Sequence, residues 1–341
     1  MRLDTTFKHR SIWLGFSMLV IMLYHSGISN APFPFSLIGQ YGYAGVDVFI
    51  FASGIGCYYS LERNPDLLGF LKRRLRRLGP VYLCFIIPWM IWRAFTGDFS
   101  IGAVIGNLLG IESFLSWEYH FNWYISALIP IYILIPCMKR LTDSCKSLTA
   151  DFLAAFFFFA VCLPAWRTHC WNMVIWSRLP VLYLGVMYGK LGKQGTLLTK
   201  RCILLHGLAA GVGGIVLYCV NGAAMDLLWF KGFYWYPFLF IVPGVCLCLS
   251  AMGELLLRSS VLKPLHLLLQ KAGTYSFELY LIHIFLFEQL VPEVAYRFPG
   301  FPHRLLWLMA WCAVVPLCIL LNRAAALLVL PTKKSNTANS R

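Results

Sequence analysis

The chain has 341 residues, of which 59% are apolar and only 13% charged, and its mean hydropathy is +0.69. Soluble domains carry about a quarter charged residues, so the composition excludes an ordinary soluble enzyme, and apolar runs recurring from residue 11 to residue 330 leave no room for a sizeable soluble domain. Lys and Arg number 29 against 14 Asp and Glu; they sit in short segments between apolar runs rather than in a surface stripe, which argues against a nucleic-acid partner and for the charge distribution that orients membrane proteins.

In chain order, basic Met1–Arg10 ahead of an apolar stretch has the form of a signal peptide. Tyr24 and His25 in the outer part of that stretch, and the immediate return of apolar pattern, make it the first span instead. At about 20 apolar residues per crossing, further spans are predicted at 41–60, 79–95, 121–138, 151–165, 172–189, 203–220, 235–257, 272–291 and 305–321, after the first at 11–28. Ile101–Leu115 is too short and too Gly-broken to cross and reads as an interfacial segment. With the amino terminus inside, 23 of the 29 Lys and Arg fall on the inner side, leaving Arg93, Arg167, Arg178, Lys231, Arg297 and Arg304 outside. Trp117, Trp123, Trp171, Trp229, Trp235 and Tyr236 fall where outer interfaces belong. The expected fold is all-α and integral to the membrane, with about ten transmembrane helices and both termini cytoplasmic. Residues 1–330 form one membrane domain and 331–341 a polar cytoplasmic tail. Most of the twelve cysteines lie inside apolar stretches without a metal-type CxxC pair and read as small buried hydrophobes, so no metal is expected.

Ionisable residues inside a bilayer are costly and mark function. Counting 1.5 Å per residue places His25 about 22 Å above Arg10 at the inner boundary, and Asp47 about 9 Å below the outer start of its helix. Arg178 enters from outside by a similar amount, and His283 lies about 17 Å above the inner end of its helix. Two histidines, one carboxylate and one guanidinium thus share a level in the outer half. His25 suits a general base, being neutral near pH 7 and able to take a hydroxyl proton. Structural readings stand beside these: Asp47 and Arg178 closing a packing network, His283 bonding helix to helix. Ser276, Tyr280 and His283 follow i, i+4, i+7 spacing and form one polar stripe. The segment Phe70–Pro80 reads as a loop with five cations in six positions, Lys72, Arg73, Arg74, Arg76 and Arg77. It serves orientation and anionic lipid headgroups, or a multiply phosphorylated ligand.

Six stretches in order resemble the acyltransferase 3 family of integral membrane acyltransferases: Tyr24-His25-Ser26, Gly45–Gly54, Phe70–Pro80, Trp123–Ala127, Arg178 to Gly185, and Gly273–His283. The resemblance implies a ten-helix fold, an acyl-CoA donor (usually acetyl-CoA) bound from the cytoplasm, and a catalytic role for His25. It also implies an arginine eleven residues before that histidine, where this chain has Leu14; Arg10, one turn lower, and the basic segment are the candidate substitutes. The expected function is O-acyl transfer in the cell (inner) membrane to a hydroxyl of an extracytoplasmic glycan or lipid-linked sugar. His25, Asp47 and His283 are the catalytic candidates; Arg10, Arg73, Arg74, Arg76 and Arg77 bind CoA phosphates; Trp123, Arg178 and Tyr280 face the acceptor. The competing expectation is a polytopic transporter or glycan flippase using the same buried polar residues as a pathway.

Overall fold

The computed structural model describes residues 1–26, 32–33, 35–95, 100–115, 121–160, 173–221 and 234–328. The predicted polar tail, and Trp117, Trp171 and Trp229, lie outside them. The described chain is helical, without a strand; one isolated bridge joins Arg2 to Leu197. A 3-10 turn, Leu3–His9, leads into α1 (Arg10–His25). Then follow α2 (Gly45–Arg63), α3 (Leu67–Phe95), α4 (Trp123–Ser144), α5 (Leu148–Ala160), α6 (Leu179–Lys193), α7 (Lys200–Asn221) and α8 (Phe238–Arg258). The last part holds α9 (Lys263–Thr274), α10 (Ser276–Ile284), a π-helical turn Phe285–Leu290, α11 (Val291–Arg297) and α12 (His303–Leu328).

Seven helices among the described residues are long and apolar enough to cross a membrane: Phe35–Arg63, Leu67–Phe95, Trp123–Ser144, Lys200–Val220, Phe238–Arg258, Ser276–Arg297 and His303–Leu328. The other three predicted spans correspond to the shorter α1, α5 and α6, of 16, 13 and 15 residues. Their apolar character has different causes. Most of α6 is buried, so its hydrophobic residues pack against protein on every side, whereas α7 leaves most of its apolar surface outward, as a lipid-facing helix does. The interfacial reading of 101–115 matches two short helices, Ile101–Leu109 and Glu112–Leu115, with Gly110 between them at φ 69°.

The basic segment is not a loop. Asp66 Oδ2 accepts from Gly69 N–H at 2.8 Å, an N-cap that starts α3 at Leu67, and the Leu, Lys and Arg that follow are good helix formers. Lys72 to Arg77 therefore lie on a helix and not on a flexible connector.

Among the described residues, several helix pairs approach closely enough to need glycine. A Cβ on Gly15 would sit 1.9 Å from Leu269 O, and one on Gly273 1.9 Å from Ser11 O, so α1 and α9 touch backbone to backbone. Gly54 and Gly185 do the same for α2 and α6, at 2.5 Å from Leu182 O and 2.2 Å from Phe51 O. Gly45 of α2, whose Cβ would stand 2.7 Å from Ser17 O of α1, links the two pairs, so α1, α2, α6 and α9 form one block. α3, α4 and α10 close against it and leave a cavity between.

Candidate functional site

That cavity holds about 650 Å³ and is walled by α1, α2, α3, α4 and α10. One end carries Arg63, Asn64, Arg73, Arg74 and Arg77; the other reaches Ile21 on α1 and Tyr280 on α10. On the helices these residues lie one turn before His25 and His283. Arg10 enters from α1 with its guanidinium flat on Gly56: a Cβ there would stand 3.4 Å from Cζ. Leu14, where the family resemblance expects an arginine, lines the same wall one turn above Arg10.

Among the described residues, five arginines face this space and no carboxylate lines it. The nearby Glu62 is committed to Lys139, at 2.6 Å, and to Lys193. Nε of Arg10 and of Arg74 is buried without a hydrogen-bond partner. Arg74 lies over the rings of Phe70 and Tyr132, 5.0 and 5.7 Å from the centroids, which holds the guanidinium in place. Concentrated, partly desolvated positive charge without counter-charge attracts an anion, and arginine at this density suits phosphate groups. Because the segment is helical, its cations separate. At about 100° per residue, Arg73, Arg74 and Arg77 share the face of buried Phe70 and line the cavity, Arg74 alone half-buried, whereas Lys72 and Arg76 point away. Arg76, expected with the phosphate-binding residues, does not line the cavity.

Beyond the far end of the cavity, the structure brings the four polar residues together in two pairs. His25 and His283 have ring centroids 5.4 Å apart. His283 is fully buried; its Nδ1 lies 2.8 Å from Leu279 O, and its Nε2 has no partner. A carbonyl only accepts, so Nδ1 carries the proton and Nε2 of the neutral ring carries a lone pair. Tyr280 stands 5.9 Å from His283 and donates to Phe121 O at 3.3 Å.

The second pair is Asp47 with Arg178, Nε to Oδ1 3.4 Å, both enclosed. Arg178 is sandwiched between Trp123 and Trp235, at 5.0 and 5.4 Å from the ring centroids, and donates to Val174 O at 2.6 Å. Neither carboxylate oxygen of Asp47 completes a hydrogen bond. Asp47 thus contacts an arginine and not a histidine. Trp123 meets Tyr124 edge to face, and Tyr124 meets Tyr280 in the same way, so a run of aromatic rings joins the two pairs.

The carboxylate that meets His25 is Glu288, whose Oε1 pairs with His25 Nδ1. Sequence reasoning passed over it, and also over Glu278, which is buried on α10 and accepts from Asn322 Nδ2 at 2.9 Å. The available signal was their acidity inside a predicted span, the same rule that selected Asp47.

A family model described as an acyltransferase domain matches residues 15–323. No curated protein and no solved structure matches the chain. The match covers nearly the whole chain, including the arginine-lined wall above Arg10 and both histidines. The chain therefore belongs to the acyltransferase 3 family, and it is a multi-pass membrane acyltransferase.

Proposed function

We propose that the protein is an acyl-CoA-dependent O-acyltransferase of the cell (inner) membrane. It moves an acyl group, acetyl in the first instance, to a hydroxyl of an extracytoplasmic glycan or lipid-linked sugar, through a bundle of about ten crossings with both ends cytoplasmic. The observation that carries this reading is one cavity whose mouth is lined by arginines and whose far end stops one turn short of two histidines. CoA phosphates would meet Arg73, Arg74 and Arg77, with Arg10 deeper inside, standing in for the arginine that the family pattern places at Leu14. The flexible arm of the donor would follow α1 past Met18 and Ile21 and present the thioester below His25.

In the transfer, His25 Nε2 takes the proton of the acceptor hydroxyl as its oxygen forms a bond to the acyl carbon. The carbon–sulfur bond breaks, and the proton passes from His25 to the departing CoA thiolate, leaving an ester and free CoA thiol. His283, with a lone pair at Nε2, accepts a hydrogen bond from a neighbouring hydroxyl of the acceptor. It is not built to donate to an oxyanion, because its one proton is held by Leu279 O. Asp47 acts through Arg178, which it holds between Trp123 and Trp235, and those rings with Tyr280 give the acceptor an aromatic wall. The test is acetyl-CoA turnover by purified protein in lipid vesicles, followed as CoA thiol release with and without membrane glycan extracts. Acetyl-CoA-dependent thiol release, weakened by salt that screens the arginine mouth, is expected. Absence of donor binding and turnover would leave the transporter or flippase reading.

A further inference from the structure

The turn that carries Glu288 is the one non-α stretch in an otherwise regular helical run from Ser276 to Arg297, a π-helical turn over Phe285–Leu290. In an α-helix Glu288, five residues after His283, would stand about 140° around the axis from it. A π turn closes i to i+5, so over Phe285–Leu290 the residues turn away from that α-helical direction. The carboxylate stands on the side where His283 already faces α1. There it meets Nδ1 of His25, on a different helix. The turn is anchored on its other side by Phe287, whose ring packs against Trp307 and Trp311 at 5.3 and 5.1 Å. π turns of this kind are uncommon and concentrate at functional sites.

We propose, resting on the acyltransferase reading above, that Glu288 is the positioning residue of His25. Its carboxylate accepts the Nδ1 proton, fixes the tautomer that leaves the lone pair on Nε2, and stabilises the imidazolium formed when Nε2 takes the hydroxyl proton. The side chain does not touch the reacting atoms. Among the described residues, the groups that face His25 are Glu288 from the π turn, His283 from α10 and the neighbouring Tyr24 on α1. Of these only Glu288 is an anion. The carboxylate beside His25 is thus a residue of the ninth predicted span, while Asp47, a catalytic candidate from the sequence, serves Arg178.

Two measurements test this, and one is independent of turnover. In selectively ¹⁵N-histidine-labelled protein, with the His25 signals assigned by their loss in His25→Ala, the parent should show the Nδ1-protonated tautomer, and Glu288→Ala should lose that preference. In acetyl-CoA turnover, Glu288→Gln, which keeps shape and an accepting oxygen but not the charge, should lower kcat by tenfold or more. KM for acetyl-CoA and the melting temperature should stay near parent values, and Glu288→Asp should recover part of the loss. In a His25→Ala background Glu288→Gln should add nothing. An unchanged His25 tautomer in Glu288→Ala, or kcat within twofold of the parent in Glu288→Gln, would overturn the assignment. Failure of His25→Ala to reduce turnover would instead strike the acyltransferase reading, and the tautomer measurement would still decide the contact.

Discussion

Replacing Arg74 and Arg76 separately by Gln separates two explanations of the basic segment that its composition alone cannot. Both changes remove one charge from the same helix, so orientation and lipid-surface effects should be nearly equal. Only Arg74 faces the cavity, with Nε buried and unpartnered and the guanidinium held on Phe70 and Tyr132. A hydrogen bond to a charged group contributes about 1.5–3 kcal/mol, which at about 1.4 kcal/mol per decade is roughly ten- to hundredfold or slightly more in affinity. Loss of the ring contacts should cost stability about 1 kcal/mol or less, so melting temperature is the control. Isothermal titration with acetyl-CoA and KM measured in vesicles should show that weakening for Arg74→Gln, with kcat nearly unchanged because the phosphates bind far from the histidines. Arg76→Gln should stay within about twofold. Equal effects from the two variants, or none from Arg74→Gln, would refute the assignment of donor phosphates to the cavity face.

Gly15→Ala or Gly273→Ala would place a Cβ 1.9 Å from a carbonyl oxygen of the facing helix; the resulting overpacking should cost about 1–3 kcal/mol and lower the melting temperature, whereas Gly207→Ala, with nothing within 4 Å, should not. Arg178→Ala leaves Asp47 charged and enclosed, which should cost about 3–5 kcal/mol, and the double change Asp47→Ala/Arg178→Ala should recover part of it; a neutral single variant would show that the pair holds nothing together. Reporter fusions after residues 65, 145, 195 and 265 should read cytoplasmic and those near 115, 170, 230 and 298 outside, and a cytoplasmic signal at 230 would break the ten-crossing topology.

Hydropathy found the long outward-facing helices because a lipid-exposed helix must be apolar along its length, and α7 and α12 are the plain cases. Depth counting along predicted spans put His25, Asp47, Arg178 and His283 at one level, but did not give the division into a histidine pair and an ion pair that the structure shows. What stayed hidden depends on local geometry that composition does not register. Asn64-Pro65-Asp66 is a helix-start signal, yet the density of cations after it reads as a loop, and with that reading the division of Arg74 from Arg76 disappears. Tyr275 interrupts the predicted span at 272–291, so the amphipathic α9 packs on α1 as a separate element. The position of Glu288 could not follow from a 3.6-residue period, because a π turn breaks that period where the carboxylate is needed.

Acyl transfer by His25→Ala, measured with acetyl-CoA binding on the same preparation, is the most direct test of the catalytic assignment. Removal of a general base costs on the order of 10²–10⁴ in rate. Binding should persist because the arginine mouth lies at the opposite end of the cavity from the histidine pair. Turnover reduced by at least two orders of magnitude with donor affinity retained is the expected result; near-parental turnover in His25→Ala would contradict it and move the chemistry to His283 and Tyr280.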